Sequence, residues 1–263
     1  MQHYFFSFIP LTFTLSLATL GLSAQTPAGG GSTAAKAPAP AHPRPELMAA
    51  QSIRPFQQLS AAERDALLAR LKQESGAVTA IRSQFTQISK TAMLVKPEIS
   101  TGTLTFKKPM AFRYEYDNGN IFTLERGSFT YYLPAQKQAG KIDLRRYDRL
   151  LGKYADPLGI IDHIGTDFQL LEASRRDDRV RLKLAPGTGS KQGKRGPLST
   201  VTIELTGEPL AIVVLLVEMK NGDTLRLEFA STVLNPPLPD GVFSVKIPAG
   251  VTLKESLPSN MNF

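Results

Sequence analysis

The feature of this sequence that most constrains its fold is the alternation of apolar and polar residues in short runs. In 101–116, Leu104 and Phe106 share one face, and after a break at Lys107-Lys108-Pro109 the side chains of Phe112, Tyr114 and Tyr116 share one face again. A period of two is typical of strands with one buried side. The pattern returns in the runs 121–125, 129–133, 180–184, 201–205 and 225–229, and again in 243–247 between proline-rich turns.

Turn signals separate these runs. Asn118-Gly119 and Arg126-Gly127 stand between successive alternating segments, as in antiparallel hairpins. The sequence therefore predicts a mainly β (α+β) fold, built on an antiparallel sheet of about ten strands, a size at which a twisted sheet tends to curl. The run 210–217, "LAIVVLLV", is apolar on both faces. It fits either a central strand buried on both sides or a strand with one side toward a cavity or partner.

Helical signals occur at two places. Ser60 and Glu63 form a capping-box pattern before leucines at helical spacing, which predicts a helix from Ser60 to about Ser75. Residues 142–164 also show helical spacing, with a second short apolar helix after Asp156-Pro157. We expect these helices to cover the apolar face of the sheet. The segment from Ile81 to Ala92 is interpreted as a first strand of about ten residues, with a continued helix as the alternative.

The N-terminus predicts export. Residues 1–24 read as a signal peptide with an apolar run that ends in small residues, although an uncleaved membrane anchor is the alternative. Residues 25–45 are rich in Ala, Pro and Gly and predict a flexible tether. Residues 46–263 are predicted to form the folded domain. No later stretch is long and apolar enough to span a bilayer.

The composition offers little for catalysis. The chain has no cysteine, which excludes disulfides and thiolate chemistry, and its only histidines are His3, His42 and His163. The acidic residues of the strands fall mostly opposite the apolar face. We therefore expect neither an enzyme nor a metal or cofactor site.

The net charge of +8 permits an anionic partner without requiring one. The basic glycine-rich loop 187–197 lacks the spacing of a phosphate-binding loop. The basic strand face at Arg179, Arg181 and Lys183 lacks an aromatic platform for bases. The loop is interpreted as a mobile hairpin loop, with contact to an anionic membrane surface as the alternative. The strand face is interpreted as a solvated outer face, and no nucleic-acid partner is expected.

Several segments in order resemble one family. These are Phe85-Thr86-Gln87 in the first strand, "GTLTFKKPMAFRYEY" at 102–116, "FTYYLP" at 129–134, "LLGKYADP" at 150–157 and "FSVKIPAGV" at 243–251. Together they resemble the LolA family of periplasmic outer-membrane lipoprotein carrier proteins. The likeness runs from about Ser60 to Val251 and is strongest at 102–116.

The resemblance implies an unclosed, strongly curved antiparallel β-barrel with helices as a lid over an apolar concave side that takes acyl chains. It implies a monomeric periplasmic carrier without cofactor, which receives acylated lipoprotein or other lipid cargo from an inner-membrane ABC-type exporter and passes it to an outer-membrane acceptor. The implied lipid-binding residues are Phe85, Leu104, Phe106, Phe112, Tyr114, Tyr116, Phe122 and Leu124.

Two positions depart from the family pattern. Lys108 stands where an arginine usually secures the lid, and Tyr114 stands in place of a tryptophan. Lysine offers a single point charge where arginine offers a fork of donors. Two alternatives follow for the function: a LolA-like carrier of another lipid or glycolipid, and a lipid-sensing domain of an envelope-stress regulator.

Overall fold

Thirteen strands form one sheet in the computed structural model, which describes residues 54–91, 96–144, 159–187 and 196–255. The strands are β1 (Gln57–Gln58), β2 (Ala80–Lys90), β3 (Glu98–Lys107), β4 (Ala111–Tyr116), β5 (Ile121–Glu125), β6 (Ser128–Leu133), β7 (Gln138–Asp143), β8 (Phe168–Arg176), β9 (Arg179–Pro186), β10 (Leu198–Thr206), β11 (Ala211–Met219), β12 (Thr224–Leu234) and β13 (Thr252–Lys254). Two α-helices lie in the same described ranges, α1 (Ala61–Ala77) and α2 (Gly159–Asp162).

The order across the sheet is β1-β8-β9-β10-β11-β12-β2-β3-β4-β5-β6-β7-β13. Neighbours are antiparallel except β13, which lies parallel to β7. The two outer strands do not pair with each other, so the sheet stays open. Register shifts interrupt the β8–β9, β10–β11 and β2–β12 pairings, and such bulges increase local twist and bend a sheet. The predicted fold class, a mainly β protein with an unclosed, curved antiparallel sheet, is confirmed.

The inner face of the sheet carries the core in cross-strand rows. Successive partners on β2, β3, β4 and β5 form one row of Ile81, Phe106, Phe112 and Leu124 and a second row of Ser83, Leu104, Tyr114 and Phe122. The second row continues through Tyr131 to Gly140. A Cβ at Gly140 would lie 2.4 Å from the Tyr131 ring. Glycine is therefore required there for the ring to pack against the β7 backbone.

The helices cover the concave side, as predicted. The Ser60 side chain accepts from the Glu63 amide while the Glu63 carboxylate accepts from the Ser60 amide, which completes the expected capping box of α1. Leu67 and Leu71 of α1 are buried against the sheet, as are Ile160 and Ile161 of α2.

Segment 81–90, for which the sequence left two alternatives, is strand β2. It pairs with β3 on one side and with β12 on the other. The hydrogen bonds of two neighbouring strands satisfy its backbone and decide the choice against a helix.

Two sequence expectations are wrong. Residues 142–143 are the end of β7, paired with β6, and not the start of a helical insertion. The helix expected over 144–155 lies outside the described residues beyond Leu144. The alternation of Phe243, Val245 and Ile247 does not correspond to a strand. Phe243 alone of these three is buried, because this segment lies across the sheet rather than within it.

The segment 236–249, which we call the strap, crosses the convex face. The Arg113 guanidinium, on the outward side of β4, donates to the carbonyl oxygens of Val242 and Ser244 at 3.4 and 3.0 Å. The strap thus connects β12 to β13, which pairs with the far edge of the sheet.

Candidate functional site

A cavity of about 40 Å³ lies between α1 and the concave face of the sheet. At roughly 10–15 Å³ for one water molecule, its space equals that of about three waters. Its walls come from α1, α2 and five strands. The lining residues are Leu71, Glu74, Ser75, Val78, Ile81, Ser83, Leu104, Ile161, Leu205, Leu210, Ala211, Ile212, Phe229, Thr232 and Leu234.

The polar groups in this wall are all engaged by protein partners. The Ser83 hydroxyl lies 2.8 Å from the Thr232 hydroxyl and donates to the Ala230 carbonyl at 3.0 Å. The Ser75 hydroxyl donates to an Asp162 carboxylate oxygen at 2.8 Å. Because these hydrogen bonds are satisfied within the wall, the cavity presents an apolar surface to an occupant.

Glu74 connects the C-terminal part of α1 to the turn before β11. One carboxylate oxygen accepts from the Leu210 amide at 2.7 Å, and the other accepts from the Arg70 guanidinium at 2.6 Å. Burial acts to raise the pKa of Glu74, but the hydrogen bonds from Arg70 and Leu210 outweigh it and hold that pKa below its usual value. The helix is therefore attached to the cavity rim by a charged group with two donors.

Lys108 fastens the C-terminal end of α1. Its ammonium donates to the Ser75 carbonyl at 2.7 Å, and Ser75 in turn contacts Asp162 of α2. The last turn of α1 contains no basic residue of its own, so Lys108 brings a positive charge to the negative end of the helix dipole. Both helices over the cavity are thereby connected to the β3–β4 turn.

The predicted lipid-binding residues are brought together, but as a packed cluster. All eight (Phe85, Leu104, Phe106, Phe112, Tyr114, Tyr116, Phe122 and Leu124) are buried. The Phe85 ring meets those of Tyr114 and Tyr116 edge to face at 5.4 and 5.1 Å. Leu104 lines the cavity, whereas the aromatic members fill the space beside it.

Sequence reasoning missed the opposite wall of the cavity. Ala211 and Ile212 at the start of β11 and Leu234 at the end of β12 line it. The doubly apolar run 210–217 carried a signal for this wall. Its beginning borders the cavity, whereas Val214 and Leu215 further along are both buried, so each of the two interpretations applies to part of the strand.

The basic outer face of β9 is neutralised by its neighbours. Glu204 accepts from Arg181 at 2.7 Å and from Arg179 at 3.4 Å. The Arg181 guanidinium also lies 3.6 Å from the centre of the Phe56 ring. The guanidinium groups of Arg179 and Arg181 are therefore paired with groups of the protein itself. The basic loop of the sequence lies outside the described residues from 188 to 195.

Neither a metal cluster nor a spanning helix occurs among the described residues. No group of three or more His, Asp or Glu side chains there is placed to hold a metal ion. His163 follows α2 and lies 3.3 Å from an Asp167 carboxylate oxygen. Within the same part of the chain, no helix is both long and apolar enough to cross a membrane.

Fold and site together define an open, curved antiparallel sheet with a helix fastened over an apolar cavity. No family model and no curated protein matches the sequence. Solved structures do match.

An uncharacterized conserved protein from Thermus thermophilus has a TM-score of 0.44 at 10% identity, over 73% of this chain and 98% of that one. A LolA superfamily protein from Nitrosomonas europaea has a TM-score of 0.38 at 12% identity, over 69% and 97%. The lipoprotein LppX of Mycobacterium tuberculosis has a TM-score of 0.39 at 14% identity, over 66% and 98%. The second of these names the family that the sequence resembles.

Proposed function

We propose that this protein is a periplasmic carrier that shields the acyl chains of lipoproteins in the cavity under α1 and moves them from the inner to the outer membrane. The observation that carries the proposal is the cavity itself. Its polar groups are satisfied by protein partners, and its helical cover is fastened at separate polar contacts. An acyl chain in this cavity would contact apolar side chains. The polar side chains of the wall would keep their hydrogen bonds to protein partners.

The energetics of transport favour this role. Each methylene exposed to water costs about 0.8 kcal/mol, so a single palmitoyl chain costs on the order of 12 kcal/mol by the same value. Covering that chain during transit removes the cost. Handover then needs only a gradient of affinity between donor, carrier and acceptor, and no nucleotide on the carrier.

Loading requires α1 to move, because the cavity of about 40 Å³ is far smaller than an acyl chain. Displacement of α1 would break the contacts of Lys108 and Glu74 and widen the space between the helix and the concave face. In this proposal the eight buried residues of the packed cluster become the wall that the acyl chain contacts, and Lys108 stabilises the closed state. The donor is an inner-membrane ABC-type exporter and the recipient an outer-membrane acceptor.

A pair of neighbouring substitutions on β12 tests the cavity. Leu234 lines it, while Val233 points outward and is 53% exposed. We expect Leu234→Glu to weaken binding of cis-parinaric acid, a fluorescent fatty acid, by tenfold or more, since the charge must be desolvated beside the chain. The matched control Val233→Glu should leave binding unchanged. Equal binding by both variants, with folding verified by circular dichroism, would contradict the assignment.

The cargo is tested separately. The protein is purified from its own periplasm and its bound lipids are extracted and identified by mass spectrometry. We expect acylated lipoprotein. A glycolipid in its place would favour the wider group of lipid carriers, and protein free of lipid would contradict carriage.

A further inference from the structure

The side chain of Tyr114 combines burial with an unused hydroxyl. It is 5% exposed, and its nearest ring neighbours are Phe85 and Phe112, with centroids at 5.4 and 5.6 Å. Within the described part of the chain, its hydroxyl has no hydrogen-bond partner. A buried hydroxyl without a partner is costly and uncommon in native proteins, so its retention in this apolar setting calls for a physical reason.

Tyr116, two residues along the same face, shows the usual arrangement. Its hydroxyl donates to the Gln87 side-chain oxygen at 2.8 Å, and the Gln87 amide donates to the Ser89 hydroxyl at 3.2 Å. Among the residues that the structure describes, the Tyr116 hydroxyl therefore has a hydrogen-bond partner and the Tyr114 hydroxyl has none. Both rings lie on the same strand and the same face. The two tyrosines therefore differ in the immediate surroundings of their hydroxyl groups and not in their place in the fold.

The position of Tyr114 relates it to the cavity. Leu104 lines the cavity, and Tyr114 is the direct cross-strand partner of Leu104 on β4. The row begins at Ser83, another lining residue. An acyl chain that enters the cavity and widens it past Leu104 therefore meets Tyr114 next.

We propose that the Tyr114 hydroxyl donates a hydrogen bond to the neutral carbonyl oxygen of an ester or amide in the bound lipid. This proposal rests on the proposed function and names the class of cargo as carbonyl-linked acyl lipid rather than plain hydrocarbon. A carbonyl is a strong acceptor that needs one donor when buried. The ionised carboxylate of a free fatty acid is disfavoured at the same place, because it would have to be desolvated without a cation.

The chemistry of the phenol fits this role. Burial raises the pKa of Tyr114 well above its ordinary value, so the group stays a neutral donor at physiological pH. The hydrogen bond would recover the cost of the unused hydroxyl only when cargo is present. Binding of an ester is then favoured over that of an alkane of the same length.

The test compares Tyr114→Phe with wild type, using methyl palmitate and heptadecane as competitors of cis-parinaric acid. We expect the affinity of the variant for methyl palmitate to fall by about tenfold, the effect of one hydrogen bond of about 1.4 kcal/mol. Its affinity for heptadecane should not fall. The melting temperature of the lipid-free variant should be unchanged or higher, because no protein hydrogen bond is lost.

Tyr116→Phe is the matched control. It removes a hydroxyl that is already bonded to Gln87, so it should lower the melting temperature of the lipid-free protein, in contrast to Tyr114→Phe. An unaltered ratio of ester to alkane affinity in Tyr114→Phe, with both competitors still bound, would overturn the hydrogen bond and leave carriage standing. Failure of wild-type protein to bind either competitor or the fluorescent acid would overturn both proposals.

Discussion

Replacement of Lys108 by methionine should loosen the C-terminal end of α1 while leaving the rest of the fold in place. The change removes the ammonium that donates to the Ser75 carbonyl at 2.7 Å but keeps an apolar stem of similar length. Because α1 has no basic residue in its last turn, no other side chain of that turn can replace the lost charge.

The magnitude follows from two contributions. A hydrogen bond from a charged donor is worth about 1.5–3 kcal/mol, and a cation at a helix C-terminus adds about 0.3–1 kcal/mol. Lys108 is only half-buried, so solvent screening lowers the sum, and we expect about 1–2 kcal/mol against local opening. At 1.4 kcal/mol for each factor of ten, amide exchange should accelerate roughly 5- to 30-fold in the last turn of α1.

Hydrogen exchange followed by mass spectrometry measures this directly. The acceleration should be confined to the end of α1 and to α2. The second helix is included because its Asp162 accepts a hydrogen bond from the Ser75 hydroxyl. Loading of cis-parinaric acid should also become faster, since the closed state is weakened. Lys107→Met is the control, because the neighbouring Lys107 is exposed. Equal exchange in the two variants, or unchanged exchange in Lys108→Met, would refute the assignment of Lys108 as the fastening of the helix.

Three further substitutions test the fold. Ser60→Ala should lower the free energy of unfolding by about 1 kcal/mol, the usual effect of an N-cap, as measured by urea denaturation. Gly140→Ala should cost about 1–3 kcal/mol in the same assay, because its Cβ would lie 2.4 Å from the Tyr131 ring. Burial raises the pKa of Glu98, so folding favours its protonated form and stability falls as pH rises from 4.5 through that raised pKa. Glu98→Gln should remove this loss and be the more stable protein at pH 7 in thermal melts; identical profiles would contradict it.

Much of the sheet could be predicted because the alternation of apolar and polar residues shows directly which face of a strand is buried. The runs around Leu104, Tyr114 and Phe122 each became a strand whose apolar residues face the core. The segment from Ile81 was ambiguous because its apolar residues fit both a period of two and a helical stripe. Pairing with two distant strands resolved it, and such pairing is not visible in a local window.

The errors have a related cause. The helical spacing that begins at Leu144 predicts a helical segment over 142–164, yet pairing with β6 keeps residues 142–143 in the sheet as the end of β7. Phe243 alternates with its neighbours as a strand residue would, but its segment crosses the convex face as the strap. In both cases tertiary contacts override the local pattern.

The cavity was harder to predict than the fold. Alternation shows which side chains point inward, but whether they fill the interior or leave space depends on how the two walls meet. Phe85, Tyr114 and Tyr116 meet edge to face and fill it. The space lies instead under α1, where the segments 71–83 and 205–234, which are distant in the sequence, come together. The run from Leu210 was the one sequence feature that pointed to this wall.

The short outer strands carry a consequence for assembly in a crowded compartment. An open sheet presents unpaired backbone at its two margins, which can recruit strands of other molecules. Here one margin ends in the two residues of β1 and the other in the three residues of β13. The strap brings β13 to β7 only after residues 236–249 have been made. Until residues 252–254 arrive, β7 remains an open template, so a chain shortened before this point should aggregate although its core is complete.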